Sequence, residues 1–137
     1  MATYVLIPGA GSDSWYWHLV TPELAARGHD AVAVDLPCDD DTAGLAEYTD
    51  VVAASASRVP DQSGTPFEKP WPRHAWPDVP TRFLLCRHDR LFPADFQRRV
   101  VRERLGIVPD EMDGGHLPAL AHPRELAERL LAYRAEM

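Results

Sequence analysis

Four short apolar runs punctuate the chain: Tyr4-Val5-Leu6-Ile7, Ala31-Val32-Ala33-Val34, Phe83-Leu84-Leu85-Cys86, and a weaker one from Ile107-Val108 through Met112. Each is continuous, not alternating, as in strands that a sheet covers on both faces. Segments with helical spacing separate them, and this alternation predicts βαβ units and a parallel sheet. The first helical region runs from about Ser14 to Arg27, with Trp17, Val20, Leu24 and Ala25 as its apolar set. Pro22 predicts a break there, with Thr21 capping a second short helix and Gly28 ending it. A second helix is expected from Thr42 to about Ser57, carrying Leu45, Ala46, Tyr48, Val52 and Ala53. Asp39-Asp40-Asp41 ahead of it supplies negative charge to its N-terminus. A third helix spans about Ala94 to Leu105, with Phe96, Val100, Val101 and Leu105 inward. A fourth spans about Pro123 to Ala135, with Leu126, Leu130, Leu131 and Tyr133, and a Glu125–Arg129 pair on its wet side.

Residues 59–81 break the pattern. Six of the thirteen prolines fall there, with Trp71 and Trp76, and proline at that density sustains neither a helix nor a central strand. The segment reads as a long connection that the two tryptophans pin to the body of a single domain spanning 1–137.

Charge and composition narrow the function classes. A formal net charge of −7 argues against nucleic acid, which needs a clustered Lys/Arg surface. Arg98, Arg99, Arg102 and Arg104 alternate with Val100, Val101 and Leu105, as on a solvated helix face. Thirteen of the fourteen basic residues are Arg, a bias that fits GC-rich coding and carries no functional message. Cys38 and Cys86 are too few for a disulfide framework, and Cys86 sits in an apolar run as a small hydrophobe. No leader precedes the first run and no stretch reaches the ~18 apolar residues of a membrane span, so a cytoplasmic protein is expected. The Asp39-Asp40-Asp41 run has no converging ligands at a useful spacing, so no metal and no cofactor is expected.

Three loops carry chemistry. Pro8-Gly9-Ala10-Gly11-Ser12 follows the first strand, where backbone N–H groups can bind an anion or an oxyanion. It is not a dinucleotide fingerprint, because Ser14 stands where a third glycine belongs. Arg87-His88-Asp89-Arg90 follows the third strand, at the sheet edge where α/β proteins bind ligands. Asp89 there is either functional or a local cap or ion-pair partner of Arg87 or Arg90. Gly114-Gly115-His116 follows the fourth strand, and His116 alone could equally be a surface residue. Together, an acid after one strand and a His after the next follow the order of a hydrolase triad.

With these residues in view, the chain resembles the α/β-hydrolase family. The resemblance lies in Val5 to Trp17, Arg27-Gly28-His29, Val34-Asp35-Leu36-Pro37, Phe83 to Pro93 with Asp89, and Gly114-Gly115-His116. It covers residues 4–50 and about 64–135 and is closest to the small esterase and hydroxynitrile-lyase-like branch. The resemblance implies a three-layer α/β sandwich, with Ala10 N–H, flanked by Gly9 and Gly11, as an oxyanion donor. It also implies Asp89 as the acid that orients the imidazole and His116 as the general base.

The chain departs from the family at the nucleophile. The G-x-S-x-G elbow is missing: Ser55, Ser57 and Ser63 lack its glycines or its strand. Ser12 and Ser14 near the Gly loop, read first as N-cap residues, and more remotely Cys38, are the substitutes on offer. The chain reads as a hydrolase with its middle removed. Joining the remaining strands predicts a reduced, mostly parallel sheet of about four strands in the order 2-1-3-4, counted in chain order. Two functions follow: weak hydrolysis of small ester or related carbonyl substrates with an incomplete triad, or a non-catalytic remnant acting as a binding or interaction module. A small-molecule substrate or ligand is the expected partner. Strand edges exposed by the shortening would allow a homodimer.

Overall fold

The apolar runs become strands, and they pair two by two. The computed structural model describes residues 1–37, 42–43 and 76–136. In it β1 (Thr3–Leu6) lies parallel to β2 (Asp30–Ala33), and β3 (Leu84–Cys86) lies parallel to β4 (Asp110–Met112). The chain divides into two units, Met1–Pro72 and Arg73–Met137, and each holds one sheet.

The α/β class and the parallel pairing follow the sequence pattern, but the four-stranded order 2-1-3-4 does not form. The 2-1 and 3-4 neighbours are present, while β1 and β3 are not hydrogen-bonded to each other. The pairs that form each join strands linked through a helix inside one unit. A β1–β3 pairing would have to close a much longer intervening loop, at a higher entropic cost. The expectation of strands covered on both faces also fails for β1, where Leu6 is buried but Val5 and Ile7 are about half exposed.

In the first unit, the region expected to be one broken helix is a 3₁₀ turn (Ser14–Trp17) followed by α1 (Val20–Ala25). The break falls before Pro22, which sits in the first turn of α1, where a missing N–H costs nothing. Thr21 is inside the helix, not its cap, and its hydroxyl donates back to the Trp17 carbonyl at 3.1 Å. Asp13, not Ser12 or Ser14, caps the 3₁₀ turn by accepting from Trp15 N–H at 2.9 Å. Gly28 closes α1 as expected, with φ +79. The N–H of Gly28 reaches Ala25 O and that of His29 reaches Leu24 O, a pair of bonds that needs a left-handed residue at position 28. Val20 and Leu24 on α1 are fully buried, and Leu6, Val34 and Ala43 are buried with little or no exposure. Burying a leucine of that kind contributes about 1.5–3 kcal/mol. The helix expected over 42–57 lies outside the described residues apart from positions 42 and 43, as do Cys38 and the acidic run at 39–41.

In the second unit, α2 (Ala94–Leu105) and β4 follow β3, then α3 (Pro118–Ala121) and α4 (Pro123–Ala135). Gly106, at φ +69, ends α2 with its N–H on Arg102 O. The core gathers Leu85 and Cys86 of β3, Val101 of α2, Met112 of β4, Ala119 of α3, and Leu126 and Ala127 of α4. Phe96, expected inward on α2, is 44% exposed. It stacks on Phe92, with ring centroids 6.3 Å apart, and carries the Arg99 guanidinium over its face. On α4 the observed ion pair is Arg124–Glu128, one position earlier than Glu125–Arg129, and Arg129 instead donates to the Glu111 carbonyl. The short α3 was not anticipated, although Pro118 at its first position is a legible start signal. Among the described residues no helix is long and apolar enough to cross a membrane.

Candidate active site

The register of the second sheet brings Asp89 and His116 together. Cys86 stands opposite Met112, and hydrogen bonding continues past the strand ends, from Arg87 N to Met112 O and from His88 N to Gly114 O, both at 3.0 Å. The two chain segments therefore leave the sheet side by side. Three residues past Cys86 comes Asp89, and four past Met112 comes His116. Their side chains meet, with His116 Nδ1 3.0 Å from Asp89 Oδ2.

Each oxygen of Asp89 has its own task. Oδ1 accepts from Leu91 N–H at 2.8 Å and from Phe92 N–H at 2.9 Å, which folds the loop around the carboxylate. Oδ2 is left for the imidazole. The Asp89 side chain is only 8% exposed, against 43% for His116. Burial, the largest single influence, pushes the Asp89 carboxyl up. The bonds from Phe92 N–H, His116 and Leu91 N–H together outweigh it and hold the pKa below the usual carboxylate value. An ionised Asp89 accepts Nδ1–H, which assigns the tautomer of His116 and leaves the Nε2 lone pair for a proton. Phe92 lies beside the imidazole, with ring centroids 5.4 Å apart.

The ion pair with Arg87 or Arg90 that the sequence offered Asp89 is not the one made by Arg87. Arg87 reaches across to β4 and the loop after it, to Glu111 Oε2 at 3.1 Å and Asp113 Oδ1 at 2.9 Å. Glu111 in turn holds Arg98 of α2 through two bonds, at 2.8 and 3.0 Å. Arg98, foremost, and then Arg87 keep the Glu111 carboxyl below its usual range, against a smaller upward push from desolvation. Sequence reasoning missed this tie between the two loops, because opposite charges pair across a sheet only once the register is known.

The double glycine also acquires a reason. Gly114 has φ +129, and a Cβ there would lie 2.9 Å from the His122 ring. Gly115 shows neither constraint. Beneath the loop, the Cys86 thiol is pushed up by burial first, then by the charges of Asp89 and Glu125, which disfavours the thiolate a nucleophile needs. Thr81 and Tyr133 are the hydroxyl side chains among the described residues of this unit. Thr81 accepts from the Trp76 indole and donates to Val79 O. Burial, with the charge of Asp110 beside it, pushes the Tyr133 hydroxyl up to about 12. Among the described residues no group of three or more His, Cys, Asp or Glu side chains is gathered as a metal site would require.

The Gly9–Gly11 loop belongs to the first unit. Ser12 N–H bonds Gly9 O at 3.2 Å, closing a turn with Gly11 at φ +70. Asp35, past the end of β2, accepts from Ser14 N–H at 2.6 Å and fixes the far side of the loop. Gly9, Ala10 and Gly11 are exposed.

A parallel α/β scaffold with an acid and a histidine on successive loops beyond its strand ends defines a hydrolase-like class of protein. The family model described as the alpha/beta hydrolase family matches residues 39–129, and the chain belongs to that family. The match takes in Asp89 and His116 and leaves the Gly9–Gly11 loop outside it. Comparisons with curated proteins and with solved structures returned no match.

Proposed function

We propose that the protein hydrolyses small ester or related carbonyl compounds, weakly, with His116 as general base and Asp89 as its orienting acid. The observation that carries this reading is the 3.0 Å bond from His116 Nδ1 to a carboxylate already fixed by two backbone N–H groups. With no G-x-S-x-G in the sequence, the step that fits these residues is attack by water. His116 Nε2 takes a proton from water as its oxygen adds to the carbonyl carbon. The tetrahedral intermediate then expels the alcohol, which leaves with the proton from the imidazolium. A positioned base of this kind is worth about 10²–10⁴-fold.

Turnover of p-nitrophenyl acetate by the wild type and by His116→Ala tests the reading. The variant is expected to fall by about 10²-fold or more. Equal rates at background would remove the enzyme and leave a second reading, a binding module that kept the fold and lost the reaction, which the missing elbow favours. A fluorophosphonate probe is expected to leave every serine unlabelled. A labelled serine would replace water attack with an acyl-enzyme route.

A further inference from the structure

Phe92 is held through its N–H, its carbonyl and its ring, and yet it is no core residue: 46% of it stays exposed. Its N–H donates to Asp89 Oδ1 at 2.9 Å, and its carbonyl accepts from the Gln97 side chain of α2. Pro93 follows as the cap of α2, with a φ fixed by its own ring. The Phe92 ring has two ring partners. Phe96 is stacked on it with centroids 6.3 Å apart, and the His116 imidazole lies 5.4 Å away, tilted by 54°. Both separations fall in the range of favourable ring pairs. Burial explains only part of this placement, since apolar surface left in water gains nothing.

The imidazole needs such a neighbour. His116 follows two glycines, and its side chain is 43% exposed. Exposed side chains change rotamer within nanoseconds unless something restrains them. The bond from Nδ1 to Asp89 Oδ2 is one restraint. A half-turn about Cβ–Cγ would exchange Nδ1 for Cδ2, and Asp89 would then face a carbon in place of an N–H donor. The Phe92 ring lies beside the imidazole, where it hinders that turn.

We infer that Phe92 is a positioning residue: its ring, backed by Phe96, keeps the His116 imidazole with Nδ1 on Asp89 and Nε2 away from it. One residue thereby serves both partners, its backbone the acid and its ring the base. The inference rests on His116 acting as the base of the proposed hydrolysis, but its first test reads the imidazole directly.

That test uses the ring ¹⁵N signals of His116 in mildly alkaline buffer, assigned with His116→Ala. The wild type is expected in the Nδ1–H form. Phe92→Ala keeps the backbone N–H on Asp89, yet it should shift the ring toward a mixture with the Nε2–H form. Phe92→Tyr should restore the wild-type pattern. Phe96→Ala leaves the Asp89 loop untouched and should shift the ring in the same direction by less. In p-nitrophenyl acetate hydrolysis, Phe92→Ala should lower kcat about three- to tenfold, the scale of one ring pair, with KM changed by less than about twofold. Phe92→Tyr should recover that loss. A wild-type ring pattern in both Phe92→Ala and Phe96→Ala, a loss carried by KM alone, or no rescue by Phe92→Tyr would each overturn the inference. A wild type no faster than His116→Ala would instead remove the hydrolytic reading, and the ring signals would still decide whether Phe92 positions the imidazole.

Discussion

The loop after β1 and the loop after β3 are built on different physics. Both leave the carboxyl end of a parallel strand. The first is shaped by backbone: a Gly9–Ser12 turn, Gly11 at φ +70, and a carboxylate of the neighbouring strand end on Ser14 N–H. Its glycines and Ala10 bring no side-chain chemistry, only peptide groups. The second is shaped by one of its own side chains, because Asp89 gathers Leu91 and Phe92 N–H groups before it meets His116. A backbone-built loop constrains its side chains only where φ is positive, as at Gly11. A loop wound around a carboxylate cannot lose that carboxylate without losing its shape.

Asp89→Asn is the sharpest way to separate shape from chemistry in the second loop. The amide oxygen can still accept from Leu91 and Phe92, but its NH₂ group faces the imidazole as a donor and favours the wrong tautomer. Esterase turnover should fall by about 10²-fold or more, while thermal stability falls by less than in Asp89→Ala, which loses both N–H bonds at about 0.5–1.5 kcal/mol each. Equal destabilisation by the two variants would show that Oδ1 does not organise the loop.

The glycines break the comparison at a second point. Gly114→Ala should cost about 2–3 kcal/mol in urea unfolding, since it meets both an unfavourable φ and the His122 ring at 2.9 Å. Gly11→Ala should cost about 1 kcal/mol, because its φ is strained for alanine but nothing lies within 4 Å. A reversed order would mean that His122 gives way without cost.

The smallest effect concerns acid. Asp89 has its folded-state pKa lowered, so its contribution to stability is complete above the ordinary carboxyl value of about 3.9 and is lost as pH falls through the lower folded value. The stability gap between wild type and Asp89→Asn should therefore hold from neutral pH to about 4 and close below it. A gap that stayed constant into strong acid would contradict the lowered value.

Much of the local structure was legible in the residues. α2 and α4 begin and end at the residues expected, because helical periodicity coincides there with Gly106 and Pro123 as boundary signals. The strand positions were legible from continuous apolar runs. Sheet order was not, since joining β1 to β3 is a non-local choice on which neither run carries a signal. The Asp89–His116 meeting was legible only as an ordered pair of loops. The Phe92 contact, the Arg87–Glu111–Arg98 tie and the His122 ring over Gly114 depend on three-dimensional register. The slip from Glu125–Arg129 to Arg124–Glu128 has the same origin: both fit i,i+4 spacing, and packing of the helix face decides between them.

The double employment of the Asp89 carboxylate has a bearing on descent. A side chain that holds up its own loop stays under selection for folding even after turnover ceases to matter. In a lineage that shed the reaction, substitutions would accumulate at His116 well before they reached Asp89, so the acid marks ancestry and the imidazole marks use.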